Sequence, residues 1–389
     1  MGFPVSSCEE VAMLSRRILP VKQRCLPVLA LALCMVLTAC GEEPPLKIGF
    51  VGGMTGRVAD LGVAGRDGVI LAVEQKNRAG GIAGRMVELV ARDDHQDADR
   101  AKQAVGELLE EGVVAIIGPM TSSIAVVIKP LIEEGQMVTI SPTVKTDQLS
   151  AQDDFFLRVT TPLSSNAKQL ATRAVNNLHL RKFAVIYDLS NRAFTETWLN
   201  YFKTALEEQG GEVVAEEEFH SAPSVHFLPV AERIVAKESD GVLMLSNAID
   251  TALLAQQFKK LGSRTPLFCS EWAFTTDLIS FGGRAVEGMS SYHSFNANSE
   301  DPLYLEFKEK FTQRFGYAPA FASVLAYDAA SFLFAGLANN PAREGLKRSL
   351  LTLGSYRGLQ SQFKVDRFGD VERRLFLTVV NDGQFKVVD

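Results

Sequence analysis

From residue 46 onward the chain repeats one unit: a short apolar run, a turn holding Gly or Asp, then an amphipathic stretch of helical period. Strands are predicted at 46–51, 86–91, 113–117 and 137–140, and helices at 62–79, 98–111 and 123–134. Strands that alternate with helices of this length pair in parallel, because each crossover helix returns the chain to the same end of the sheet. A second series has strands at 182–187, 212–219, 241–245 and 267–270, again with helices between them. Two series imply two sheets. An extended piece at 156–162 ends in Pro162, which interrupts a helix and suits a crossing from one sheet to the other. Another extended piece at 289–295 precedes helices at 302–315, 321–337 and 343–351, which return the chain to its first half. The expectation is an α/β protein of two doubly wound lobes, parallel-rich and joined by a multi-strand hinge. Lobe one takes 46–162 and 295–372; lobe two takes 163–294 and 373–389. A chain of 389 residues is long enough for two domains of ordinary size.

Charge narrows the partners. The formal net charge is −6, so there is no basic excess to meet phosphate, and nucleic acid is not an expected partner. A net acidic surface favours solubility.

The N-terminus sets the compartment. Arg16, Arg17, Lys22 and Arg24 precede an apolar run over 26–37 that ends in Leu37-Thr38-Ala39-Cys40, the order of a secretory signal. The run is shorter than the roughly 20 residues that span a bilayer. Leu37-Thr38-Ala39-Cys40 resembles the lipobox of bacterial lipoproteins, which implies a signal peptide over 1–39, a lipid on Cys40 and a polar tether over 40–45. Glu9 and Glu10 are unusual in a charged leader, and translation could start at Met1 or Met13. Of the five cysteines only Cys40 and Cys269 follow the cleavage point. With Cys40 acylated, Cys269 has no partner for a disulfide, and the fold must rest on its core. No later stretch is read as long and apolar enough to cross a membrane.

In doubly wound sheets ligands sit outside the carboxyl ends of the strands. The loops there are Gly52-Gly53-Met54-Thr55-Gly56-Arg57, Gly118-Pro119-Met120-Thr121-Ser122-Ser123 and Ser141-Pro142-Thr143-Val144-Lys145-Thr146. Small hydroxyls and free N–H groups at a helix start suit a carboxylate, and Ser122 or Ser123 can donate to one. Both serines equally suit simple capping of the helix. Other chemistries find no residues. No G-x-G-x-x-G follows a strand, Gly62, Gly65 and Gly68 have the spacing of helix-packing positions, and Walker and G-x-S-x-G motifs are missing. His95, His179, His220, His226 and His293 are scattered, so neither a metal nor a cofactor is expected. No nucleophile with an adjacent base is identifiable, so the chain is not read as an enzyme.

Gly53-Met54-Thr55-Gly56, Gly80-Gly81-Ile82-Ala83-Gly84, Asp93-Asp94, Ile117-Gly118-Pro119 through Ser123, Ile140-Ser141-Pro142 and Glu287-Gly288 occur in one order along the chain. In that order the sequence resembles the branched-chain amino acid binding proteins, which are type I periplasmic binding proteins of ABC importers. The resemblance implies an amino acid held between closing lobes and delivered by a monomer to a membrane permease. It places the ligand carboxylate on Ser122 and on the stretch Thr143-Val144-Lys145-Thr146, where Lys145 stands at a position usually filled by a hydroxyl residue. That lysine could add charge for an anionic ligand or point to solvent, and solvent is the expectation because exposed lysine is the common case. The resemblance further implies that Glu271 pairs with the ligand ammonium. Trp272 beside it could wall an apolar pocket or belong to the core. Where the family places tyrosines this sequence has Leu61 and Asn247-Ala248, while Phe194 is the candidate for a further aromatic position, so the side-chain pocket is rebuilt and branched-chain specificity does not follow. Phe321 on the returning helix could still reach the ligand. An amide or aromatic carboxylate ligand, or a sensory module without transport, are the competing readings.

Overall fold

In the computed structural model the described residues are 1–2, 43–339 and 341–388. Nearly all of the expected signal segment and the expected acylation site, Cys40, lie outside the described residues. The first sheet begins with β1 (Leu46–Gly52), buried along almost its whole length. Apart from Lys47 it carries no polar side chain, as expected of a strand with both faces covered. Then follow α1 (Ala59–Arg78), β2 (Val87–Asp93), α2 (Ala98–Glu110), β3 (Ile116–Ile117), α3 (Ser122–Glu134), β4 (Thr139–Ser141) and β5 (Phe156–Arg158). The strands lie side by side in the order β2-β1-β3-β4-β5, and every pairing is parallel.

The second series is α4 (Leu163–Asn176), β6 (Lys182–Asp188), α5 (Arg192–Glu207), β7 (Glu212–Phe219), α6 (Leu228–Val235) and β8 (Gly241–Leu245). It continues with α7 (Ala248–Lys260), β9 (Leu267–Cys269), α8 (Thr276–Gly282) and β10 (Ser290–His293). Next come α9 (Pro302–Phe315), α10 (Phe321–Asn339) and α11 (Leu346–Thr352). Five short strands close the described chain: β11 (Ser355–Arg357), β12 (Gln362–Val365), β13 (Val371–Glu372), β14 (Phe376–Asn381) and β15 (Gln384–Val387). The first three of these form their own antiparallel sheet. The last two join the second sheet, whose order is β15-β14-β10-β9-β8-β6-β7. Within it β14 pairs antiparallel with both β10 and β15, and the other pairings are parallel. The fold is therefore the two-lobed, parallel-rich α/β architecture, each sheet with its helices making one lobe.

Helix α10 packs along α1, and glycine permits that approach. A Cβ on Gly68 would lie 2.3 Å from the Ser323 carbonyl oxygen, and one on Gly62 would lie 2.0 Å from that of Gly53. Both distances are impossible for a side chain, so Gly68 lets α10 pack closely on α1, and Gly62 lets α1 pack closely on the loop after β1. The expectation that no later stretch matches a membrane span is corrected here. Phe321–Asn339 is 19 residues long with mean hydropathy 1.6, yet 78% of that window is buried. It is hydrophobic all round because it is a core helix.

The crossings between the lobes are cross-linked. Arg373, on the segment leading into β14, donates from Nε to the Val159 carbonyl at 2.6 Å and from its backbone N–H to Thr161 Oγ1 at 2.8 Å. Its guanidinium lies 2.8 Å from Asp328 of α10, both side chains 1% exposed. Burial raises the Asp328 pKa, while Arg373 pulls it down.

Candidate ligand-binding site

Two of the first-lobe loops are stitched together rung by rung. Ser141 Oγ donates to the Pro119 carbonyl at 2.7 Å, Thr143 Oγ1 donates to the Met120 carbonyl at 2.5 Å, and the Lys145 N–H reaches Ser122 Oγ at 3.3 Å. Gly118 has φ +115°, and a Cβ there would lie 2.1 Å from the Val51 carbonyl oxygen. Only glycine lets this loop run so close to β1.

The start of α3 separates the two roles open to the serines. Thr121 is the N-cap, and its side chain makes no capping bond; its hydroxyl donates instead to Gln96 Oε1 at 3.0 Å. Ser122 and Ser123 are the first two helical residues. Ser123 faces the other lobe. Its N–H donates to Asn191 Oδ1 at 3.0 Å, and its Oγ accepts from the Ala193 N–H at 3.1 Å. Each of the helices α3 and α5 thus has an N-terminal N–H satisfied by a side chain from the opposite lobe, as orphan groups at a helix start require. Ser122 is 1% exposed. Its oxygen accepts from Lys145, which leaves its own hydrogen to donate.

A small cavity lies where the strand ends of the two lobes face each other. The first lobe lines it with Ser122, Thr143 and Lys145, with Leu61 from α1 and Phe321 from α10. The second lobe contributes Glu271, Trp272 and Phe194. Phe194 and Trp272 meet edge to face, centroids 5.7 Å apart at 73°, a favoured aromatic geometry.

Lys145 does not point to solvent. Its residue is 4% exposed, and Nζ donates to Glu271 Oε1 at 2.7 Å and to Asn166 Oδ1 at 3.3 Å. The expectation of a solvated lysine is overturned because loop three turns inward across the cleft. Glu271 holds it there, and Trp198 Nε1 donates to the second Glu271 oxygen at 3.2 Å.

Three residues named from the sequence are placed off the cavity wall. Thr146 Oγ1 accepts from the Gln148 N–H and lies 3.4 Å from Thr197 Oγ1. Ser123 bridges the lobes as described. Asn247 caps α7 by accepting from the Asp250 N–H at 3.0 Å and braces the Asp250 carboxylate with its amide at 2.6 Å. That carboxylate pairs with Arg57 of the first loop.

Sequence reasoning did not single out Thr160 and His293, both of which line the cavity. Thr160 is fully buried and His293 4% exposed. Thr160 Oγ1 and His293 Nε2 have no hydrogen-bond partner. His293 Nδ1 accepts from the Phe295 N–H at 3.2 Å, which assigns the ring hydrogen to Nε2. Burial pushes the His293 pKa down to about 3, with the Lys145 charge adding to the effect, so the ring is neutral. The signal for both was positional: each lies in an extended segment that crosses between the sheets.

The sequence matches the protein family described as Periplasmic binding protein over residues 45–384. It is 24% identical over 246 residues to a Leu/Ile/Val-binding protein homolog of Brucella melitensis, covering 62% of this chain and 66% of that protein. The chain thus spans just under two thirds of that relative's length. A leucine binding protein from Thermotoga maritima superimposes with TM-score 0.82 at 23% identity, over 88% of this chain and 98% of that one. A solute binding protein of an ABC transporter from R. palustris, in complex with benzoate, gives TM-score 0.80 at 19% identity, over 88% and 95%.

Proposed function

Because the chain belongs to the periplasmic binding protein family, we propose that it captures a small organic carboxylate, an amino acid or a close analogue, between its lobes and delivers it to an ABC importer. In this reading the protein is exported, anchored through a lipid on Cys40 and works as a monomer. The single observation that carries the ligand part is convergence. Ser122 from the first lobe and Glu271, Trp272 and Phe194 from the second line one cavity. Closure is then coupled to binding, because a ligand touching both walls favours the closed form by its contacts to each. The name of the Brucella relative supports an amino acid. The benzoate complex supports a carboxylate that carries no ammonium.

A thermal-shift screen over amino acids, aliphatic and aromatic acids and amides tests the proposal. A ligand present at 100 times its Kd stabilises by about 2.7 kcal/mol. The expected result is stabilisation by at least one carboxylate in wild type and its loss in Ser122→Ala. Stabilisation by amides alone, or full binding in Ser122→Ala, contradicts it.

A further inference from the structure

The inference rests on the ligand-binding reading above and names the class of ligand. Among the described residues lining the cavity the charged groups are Lys145 and Glu271, and they neutralise each other. The third titratable group, His293, is neutral. Both Glu271 oxygens already accept a bond, from Lys145 Nζ at 2.7 Å and from Trp198 Nε1 at 3.2 Å.

A zwitterionic amino acid would bring an ammonium into this space. It could displace Lys145, which leaves a lysine buried without its counter-charge. It could instead sit beside Lys145, which sets two cations on one carboxylate. Each arrangement is costly where water is excluded.

The groups left over ask for the opposite charge. Ser122 has a hydroxyl hydrogen to give, and the buried Thr160 hydroxyl is unpartnered. The His293 Nε2–H is an unpartnered donor. They accompany a helix start that its own N-cap side chain does not cover, a place that favours an anion. The rest of the wall is apolar, through Leu61, Met120, Phe194, Trp272, Phe321 and Leu325.

We propose that Lys145 supplies from the protein the ammonium that an amino acid would carry, so that the cognate ligand is an aliphatic or aromatic carboxylate without an α-ammonium group. The carboxylate takes the Ser122 end of the cavity and the apolar body lies against Phe194 and Trp272. The Lys145–Glu271 pair stays intact and acts as the selectivity element.

Titration calorimetry at neutral pH with matched probes tests this: L-leucine against 4-methylpentanoate, and L-phenylalanine against 3-phenylpropanoate. In wild type the member without the ammonium is expected to bind at least about tenfold more tightly, a difference of about 1.4 kcal/mol. Equal or tighter binding of the amino acid in both pairs overturns the inference but leaves the proposed function standing. Binding of none of the four, with no other carboxylate stabilising the protein, removes both. Lys145→Met frees Glu271 and is expected to move the ratio at least about tenfold toward the amino acid. The double variant Lys145→Met/Glu271→Gln is expected to move it back. A ratio that ignores both changes overturns the role of Lys145, and the wild-type comparison stands even if a variant fails to fold.

Discussion

Two ion pairs in this protein are both nearly cut off from water and sit in different mechanical settings. Arg373 and Asp328 lie 2.8 Å apart with side chains 1% exposed, and Arg373 is also tied to Val159 and Thr161 of the crossing strand. Lys145 and Glu271 lie 2.7 Å apart with side chains 5% exposed, one on each lobe. The first pair is woven into the body of the fold and regains water only by unfolding. Under the proposed closure, the second regains it when the lobes part. The same desolvation therefore loads overall stability in one place and the open–closed balance in the other. A buried pair gives little net stabilisation of its own, but loss of one partner strands the other.

The comparison is broken most severely at the hinge. Arg373→Met leaves Asp328 buried and uncompensated and is expected to cost about 3–5 kcal/mol of unfolding free energy, read in urea melts. Lys145→Met is expected to cost less in the same melts, because Glu271 can be relieved by opening. X-ray scattering should instead show a larger radius of gyration than wild type. Equal losses in the two variants would show that the cleft pair is as locked into the fold as the hinge pair.

A third buried acid sharpens the contrast because its hydrogen bonds come without a cation. Asp94 is 1% exposed, and its Oδ1 accepts from the Gln96 N–H at 2.8 Å. Burial pushes its pKa up from 3.8 to about 6. The folded state then holds this proton more tightly than the unfolded chain. Its contribution to stability is complete below about pH 4 and is lost as pH rises through about 6. Asp94→Asn is expected to flatten that part of the stability–pH curve, with a change of up to about 3 kcal/mol between the two ends. A curve that keeps its slope in the variant assigns the titration elsewhere.

The smallest effect belongs to the interlobe caps. Ser123→Ala removes the acceptor of the Ala193 N–H and is expected to weaken closure by about 0.5–2 kcal/mol, as cap removal does. It should appear as a modest loss of affinity with the first lobe's own packing unchanged.

The alternation of apolar runs and helices made both parallel sheets legible, with strand positions within a few residues of those observed. The sheet order and the antiparallel β14 and β15 were not, since strands of two to six residues carry too little pattern to separate from loop. Ser122 and Glu271, which both line the cavity, are legible in the sequence through loop position and family resemblance. Lys145 was misread for a physical reason: a lysine in a loop is exposed by default, and the carboxylate that buries it lies 126 positions away. Asn247 occupies the expected strand-end loop, but its side chain turns back to cap its own helix. Thr160 and His293 were passed over because crossing segments read as connections, although such segments form the floor of any cleft between two sheets.

The most direct test of the account is a crystal structure of the protein with 3-phenylpropanoate bound. It should show the carboxylate within hydrogen-bond distance of Ser122, the ring against Phe194 and Trp272, and Lys145 still on Glu271. A ligand ammonium seated on Glu271 with Lys145 swung out, in a parallel L-phenylalanine complex of equal or higher affinity, would contradict it.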